Sequence, residues 1–138
     1  MLKLQQAPTF VGKVEIPLPG GKVAQVTCTF KWMHRKDVHT FYRRIHMLSL
    51  MGKWHMRLAQ RIVRALGHVP GLKGWAQDRT VTFRDTFDML NEVIESWEGV
   101  DLPWSREACD LLIAQHPNAG MLFMGAWAKG LSENRLGN

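Results

Sequence analysis

Two apolar runs with a period of two, separated by Leu18-Pro19-Gly20-Gly21, constrain this chain more than any other feature. In the first run Phe10, Val14 and Ile16 share one face; in the second Val26, Cys28, Phe30 and Trp32 do. That alternation fits a half-buried strand, because successive side chains on a strand point to opposite faces. Proline presets φ for a turn and glycine accepts positive φ, so the intervening residues predict a β-hairpin over 10–32.

From Asp37 onward the period changes. Val38, Phe41, Ile45 and Leu48 recur three or four residues apart, as one face of a helix does. A second stripe follows in Met51, Trp54, Leu58, Ile62 and Leu66, with Gly52 either breaking the two or tolerated within one longer helix. Gly67, Pro70, Gly71 and Gly74 predict a loop over Gly67–Gln77 that carries Trp75. A further helix is expected from Phe83 to Trp97, with Phe83, Phe87, Leu90, Ile94 and Trp97 inward. Thr82 would cap it, and Asp85 three residues later would complete a capping box. Ser105 caps the next helix, to about Gln115, with Trp104 placed to staple onto Cys109. Pro117 suits the first turn of a last helix that turns Leu122, Phe123, Ala126 and Trp127 inward and weakens at Gly130.

The expected architecture is therefore α+β: an N-terminal β-hairpin, then a mainly α-helical bundle of about four to five helices over 37–131, then a short frayed tail at 132–138. With 138 residues, 46% hydrophobic and 22% charged, a single domain over 1–138 is the expectation. No apolar run approaches the ~20 residues of a membrane helix, and 1–9 lack the apolar core of a signal peptide, so a cytosolic protein with no membrane partner is expected. Cys28 and Cys109 then read as small buried hydrophobes.

Catalytic chemistry finds little support. The six histidines form no HExxH or CxxH pattern, and His39 and His46 lie two helical turns apart, which excludes the familiar zinc signatures. No serine sits in a GxSxG elbow, Ser105 is explained as a cap, and Gly20-Gly21 lacks the lysine of a phosphate loop. Glu92 and Glu95 fall opposite the expected apolar stripe, where carboxylates are solvated. The reading is a non-enzyme with no catalytic, metal or cofactor-binding residues and no cofactor.

Charge and aromatic content point to binding instead. Residues 1–80 hold fourteen Lys/Arg against three Asp/Glu (+11), and 81–138 hold four against nine (−5), which together give the formal +6. A basic first part can attract nucleic acid or acidic protein surfaces, and the acidic second part can meet the basic part of a neighbouring copy. Lys53, Arg57, Arg61 and Arg64, spaced 4, 4 and 3, form a candidate basic face on one side of a helix. Such a face can meet phosphates, although no helix-turn-helix, RNA-binding strand signature or zinc finger accompanies it. Among six tryptophans, Trp54, Trp97 and Trp127 fall on apolar stripes, whereas Trp32, Trp75 and Trp104 lie at strand ends or loops and are candidate protein-binding anchors.

Two blocks resemble a known family. The first holds Pro8-Thr9-Phe10-Val11, Val14-Glu15-Ile16-Pro17, Gly20-Gly21 and Val26-Thr27-Cys28-Thr29-Phe30-Lys31. The second, from about Phe87 to Asn138, holds Val93-Ile94-Glu95-Ser96-Trp97, Val100-Asp101-Leu102-Pro103-Trp104-Ser105, Leu111-Leu112 and His116-Pro117. Together they span about two thirds of the chain and are similar to the tail assembly chaperones of lambda-like siphoviruses, whereas the middle, 34–80, departs from that pattern by its basic residues and tryptophans. The resemblance implies a protein that binds the tape measure protein in the host bacterial cytoplasm and promotes tail tube assembly with the major tail tube protein. It further implies absence from the mature virion, a homo-oligomer, and a second, longer product made by translational frameshifting. A small basic nucleic-acid-binding phage or prophage protein is the alternative.

Overall fold

The computed structural model describes residues 9–50, 54–79 and 85–135. They belong to two compact units, one combining 1–33 with 85–138 and the other comprising 34–84. The architecture is α+β, with a β-hairpin leading into helices.

In the first unit β1 (Thr9–Pro17) and β2 (Val23–Lys31) pair antiparallel, with Gly12 opposite Cys28 and Val14 opposite Val26. Gly20 and Gly21 close the hairpin at φ +84° and +78°, conformations that cost a side-chain-bearing residue more. Val14, Ile16, Val26, Cys28 and Phe30 are buried, as the alternation requires. β2 also pairs antiparallel with β3 (Ile94–Glu98), making a three-stranded sheet in the order β1-β2-β3.

This third strand replaces the second half of the helix expected over Phe83–Trp97. Numbering helices along the chain, α1 is Arg35–Leu50, α2 Trp54–Leu66, α3 Lys73–Arg79 and α4 Thr86–Asn91, so helix here ends at Asn91. The cause is a bulge: Cys28 faces Trp97, Thr29 faces Ser96, and Phe30 faces Ile94, with the register shifting between Thr29 and Phe30. Ile94 and Trp97, three apart, thereby bury on one face of the sheet, and this spacing imitates a helical period. The strand also uses the free edge of β2, beginning with Lys31 N–H donating to the Val93 carbonyl at 2.7 Å. The cap differs as well. Asp85 itself is the N-cap of α4, its carboxylate accepting from Asp88 N–H at 3.0 Å. Thr82 lies outside the described residues.

The rest of this unit is α5 (Arg106–Gln115) and α6 (Ala119–Arg135). Ser105 caps α5 as expected, accepting from Ala108 N–H at 3.1 Å. Phe123 and Trp127 of α6 are buried, and the Trp127 indole N–H donates to the Lys31 carbonyl at 3.0 Å. Leu122, expected inward, is exposed. Gly130 does not weaken α6, which continues to Arg135 with Leu131 buried, so the expected frayed tail is helical through 135. The glycine is instead a contact point: a Cβ there would lie 2.4 Å from Cε2 of Phe10, whose ring rests on the helix.

In the second unit α1 begins two residues before Asp37 and buries Phe41. The segment expected as a loop over Gly67–Gln77 contains α3. α3 is drawn in by Ala76, which is buried and donates its N–H to the Leu72 carbonyl at 2.9 Å. Gly67, at the end of α2, permits this approach, since a Cβ there would sit 3.2 Å from the Ala76 Cβ. Gly52 falls outside the described residues, so the joint between α1 and α2 is not described.

Candidate functional site

The period of α2 promised an inward stripe of Met51, Trp54, Leu58, Ile62 and Leu66. The helix is instead turned so that Leu58 and Ile62 are 50% and 54% exposed, while Gln60 is buried and Ala59, Val63 and Leu66 are half-buried. Met51 and the Trp54 side chain lie outside what is described. Gln60, Ala59, Val63 and Leu66 thus share the inward side, and Leu58 and Ile62 are left outside. An exposed apolar stripe on a helix is a recurrent mark of a partner surface.

Along its flank run the basic residues. Arg57, Arg61 and Arg64 are all exposed, each directly preceding a residue of the apolar row: Arg57-Leu58, Arg61-Ile62, Arg64-Ala65. At about 100° per residue this places a cationic row beside an apolar one along the same helix. Lys53, the fourth member of the expected face, lies outside the described residues. The sequence around them is one-sided: residues 38–77 contain no Asp or Glu.

A second apolar surface follows at the end of α2. Val69, Leu72 and Trp75 are exposed and spaced by threes, leading from the α2 end into α3, and Trp75 is 39% exposed. Successive N–H donations, Val69 to Leu66 and Leu72 to Val69, each at 3.1 Å, fix the backbone of this turn. The turn passes through Gly71 at φ +87°. Trp75, a candidate anchor, is therefore carried on a hydrogen-bonded helical turn rather than on the expected loop.

The two other candidate anchors sit differently. Trp104 is half-buried, packs edge-on against Trp97 with ring centroids 4.8 Å apart, and lies 5.3 Å from Phe87. Its indole N–H donates to the Asn91 side-chain oxygen at 3.1 Å. Trp97 in turn donates to the Leu102 carbonyl at 2.8 Å. The tryptophan turn thus ties β3, α4 and the 100–105 loop together. Trp32, just past β2, is half-buried. Trp75 is the most open of the three.

Beside this cluster Arg106 bridges both Asp85 and Asp88, and its guanidinium lies 4.6 Å over the Phe87 ring. The two carboxylates hold the Arg106 pKa above its ordinary value, with the Asp88 hydrogen bond the largest cause. This fastens the start of α5 to the start of α4. Sequence reading missed it, because residues 18 and 21 positions apart carry no local signal.

The described residues hold no group of three His, Cys, Asp or Glu placed to bind a metal ion. Both cysteines are buried and free; burial pushes the Cys28 thiol up to about 12 and the Cys109 thiol up to about 11. Such thiols are poor nucleophiles near neutral pH. Among the described residues, no helix is long and apolar enough to cross a membrane.

No curated protein and no solved structure matches the chain. The profile described as phage tail assembly chaperone matches residues 1–138, beyond the two blocks that carried the resemblance and through the basic middle segment as well. The chain belongs to the phage tail assembly chaperone family, whose role is non-catalytic.

Proposed function

We propose that the protein binds the tape measure protein in the host cytoplasm and presents it for polymerisation of the tail tube by the major tail tube protein, leaving before the virion matures. The observation that carries this reading is the exposed Val69–Leu72–Trp75 surface on the second unit, beside the exposed Leu58 and Ile62 of α2. A long, helix-rich client with unpaired apolar stripes needs a partner that covers them reversibly. A small set of apolar anchors on an ordered turn supplies moderate affinity per copy, and many copies along one client supply the rest. No step requires bond making or breaking. A longer, frameshifted product that recruits the tube protein is consistent with the same scheme.

Nucleic acid is the competing occupant of the α2 face, because Arg57, Arg61 and Arg64 are exposed. Phosphates would pair with the arginines yet leave Leu58 and Ile62 uncovered, so a protein surface fits the whole face better.

Co-expression with the tape measure protein tests the proposal. The client should become soluble and co-purify in high salt, and Trp75→Ala should weaken retention while leaving the chaperone folded. A client that stays insoluble, with the chain retained on DNA in a salt-sensitive way, would move the assignment to nucleic acid.

A further inference from the structure

Seen down its axis, the exposed side of α2 is divided into two rows. Taking Leu58 as the reference and turning about 100° per residue, Ile62 falls at about +40° and Ala65 at about −20°, whereas Arg61, Arg57 and Arg64 fall at about −60°, −100° and −120°. Each of these residues is exposed. An apolar row and a cationic row therefore run side by side over about two turns, roughly 100° apart around the helix. The surrounding segment, 38–77, contains no Asp or Glu and so supplies no carboxylate of its own to this face.

An occupant that covers the whole face must meet both rows. An extended segment turns successive side chains to opposite faces, so it cannot present a charged row and an apolar row roughly 100° apart. A helix can, and its neighbours at three and four residues match the spacing of Leu58, Ile62 and Ala65. The complement of the cationic row is a row of carboxylates, which the planar guanidinium groups take in pairs of parallel hydrogen bonds.

We propose that the α2 face receives an acidic amphipathic helix of the client, its apolar residues on Leu58, Ile62 and Ala65 and its carboxylates on Arg61 and Arg64. The proposal rests on client binding as read above and adds the chemistry of the bound segment. Direction then fixes the order of residues in that segment. On α2 each arginine precedes its exposed apolar neighbour by one position. Two facing helices see each other's rows in mirror sense, so an antiparallel client helix carries Asp or Glu directly before each apolar residue, and a parallel one directly after.

The test is fluorescence anisotropy of the full chain, treated with nuclease, against a labelled synthetic helix of about 20 residues, long enough to be helical alone. Leucine recurs in it at alternating spacings of three and four, with glutamate directly before each leucine, so it docks antiparallel whichever way the natural client runs. The natural chain should bind this helix, more weakly as salt rises, and should bind the same helix with lysine for glutamate about tenfold less tightly or worse. R61E/R64E should reverse the preference, a swap that only a folded face shows. Should that variant lose its circular dichroism signature, R61Q/R64Q replaces it and should no longer prefer the glutamate helix. I62S should weaken the glutamate helix at low and high salt alike, which separates the face from a purely ionic contact. Co-expression distinguishes this proposal from the reading beneath it. A reversed variant that holds the client as well as the natural chain does leaves client binding standing and overturns the proposal; a chain that prefers the glutamate helix yet holds no tape measure protein keeps the face and removes that client. Equal binding of the two helices, or labelled duplex DNA bound more tightly than the glutamate helix and lost in R61E/R64E, would also overturn it.

Discussion

At the scale of single residues, the two cysteines show how burial sets chemistry. Cys28 is enclosed between β1 and β3 in the sheet and Cys109 at the inner face of α5. Burial stabilises the neutral thiol of each, and at Cys109 nearby Asp110 and Asp85 add to the shift. The native protein should therefore leave both thiols unreacted with a disulfide reagent near neutral pH, while denaturant exposes two per chain. A sign follows for stability. The unfolded thiol ionises near 9, the folded Cys28 thiol only near 12, so the folded state holds its proton more tightly. This contribution is fully present below pH 9 and is lost as pH rises toward 12. Thermal melts of the natural chain and Cys28→Ala over that range should show a smaller alkaline loss in the variant. The tryptophans divide by the same criterion. Trp104→Ala should lower the melting temperature, since it removes two aromatic contacts and the Asn91 hydrogen bond. Trp75→Ala should weaken client binding in the co-purification.

At the scale of elements, the hairpin was legible because alternation, proline and paired glycines all agree over 10–32. The cap at Ser105 was legible for the same reason: it is a local hydrogen bond three residues long. β3 was not, because a bulge gave Ile94 and Trp97 a spacing that suits a helix, and only pairing with β2 decides the matter. Gly130 was misread because its use depends on Phe10, 120 positions earlier. Gly130→Ala, which would raise helix propensity in isolation, should here destabilise by about 1–3 kcal/mol as the ring is displaced. Chemical denaturation measures this. A cap variant, Asp85→Ala, should cost about 1 kcal/mol, because it leaves the first turn of α4 short of an acceptor. The apolar stripe of α2 was visible in sequence, but not the side it faces. Periodicity gives an amphipathic helix without saying whether its apolar row meets the core or a partner.

At the scale of the whole molecule, the uneven charge of the sequence acquires a location. The arginines of the second unit flank exposed Leu58 and Ile62 on α2, Trp75 is exposed on α3 of the same unit, and in the first unit exposed Glu107 and Asp110 lie near exposed Leu111 on α5. Trp32 and Trp104 are half-buried and Trp75 is exposed, a difference that belongs to the folded chain and leaves no mark in the local sequence. Hydrogen exchange on the co-purified complex with the tape measure protein tests the proposed client surface most directly. Amides of 66–76 should gain protection when the client is bound, while the β1–β2 hairpin stays unchanged relative to the free chain. Protection confined to the sheet and α6, with 66–76 exchanging as freely as before, would contradict it.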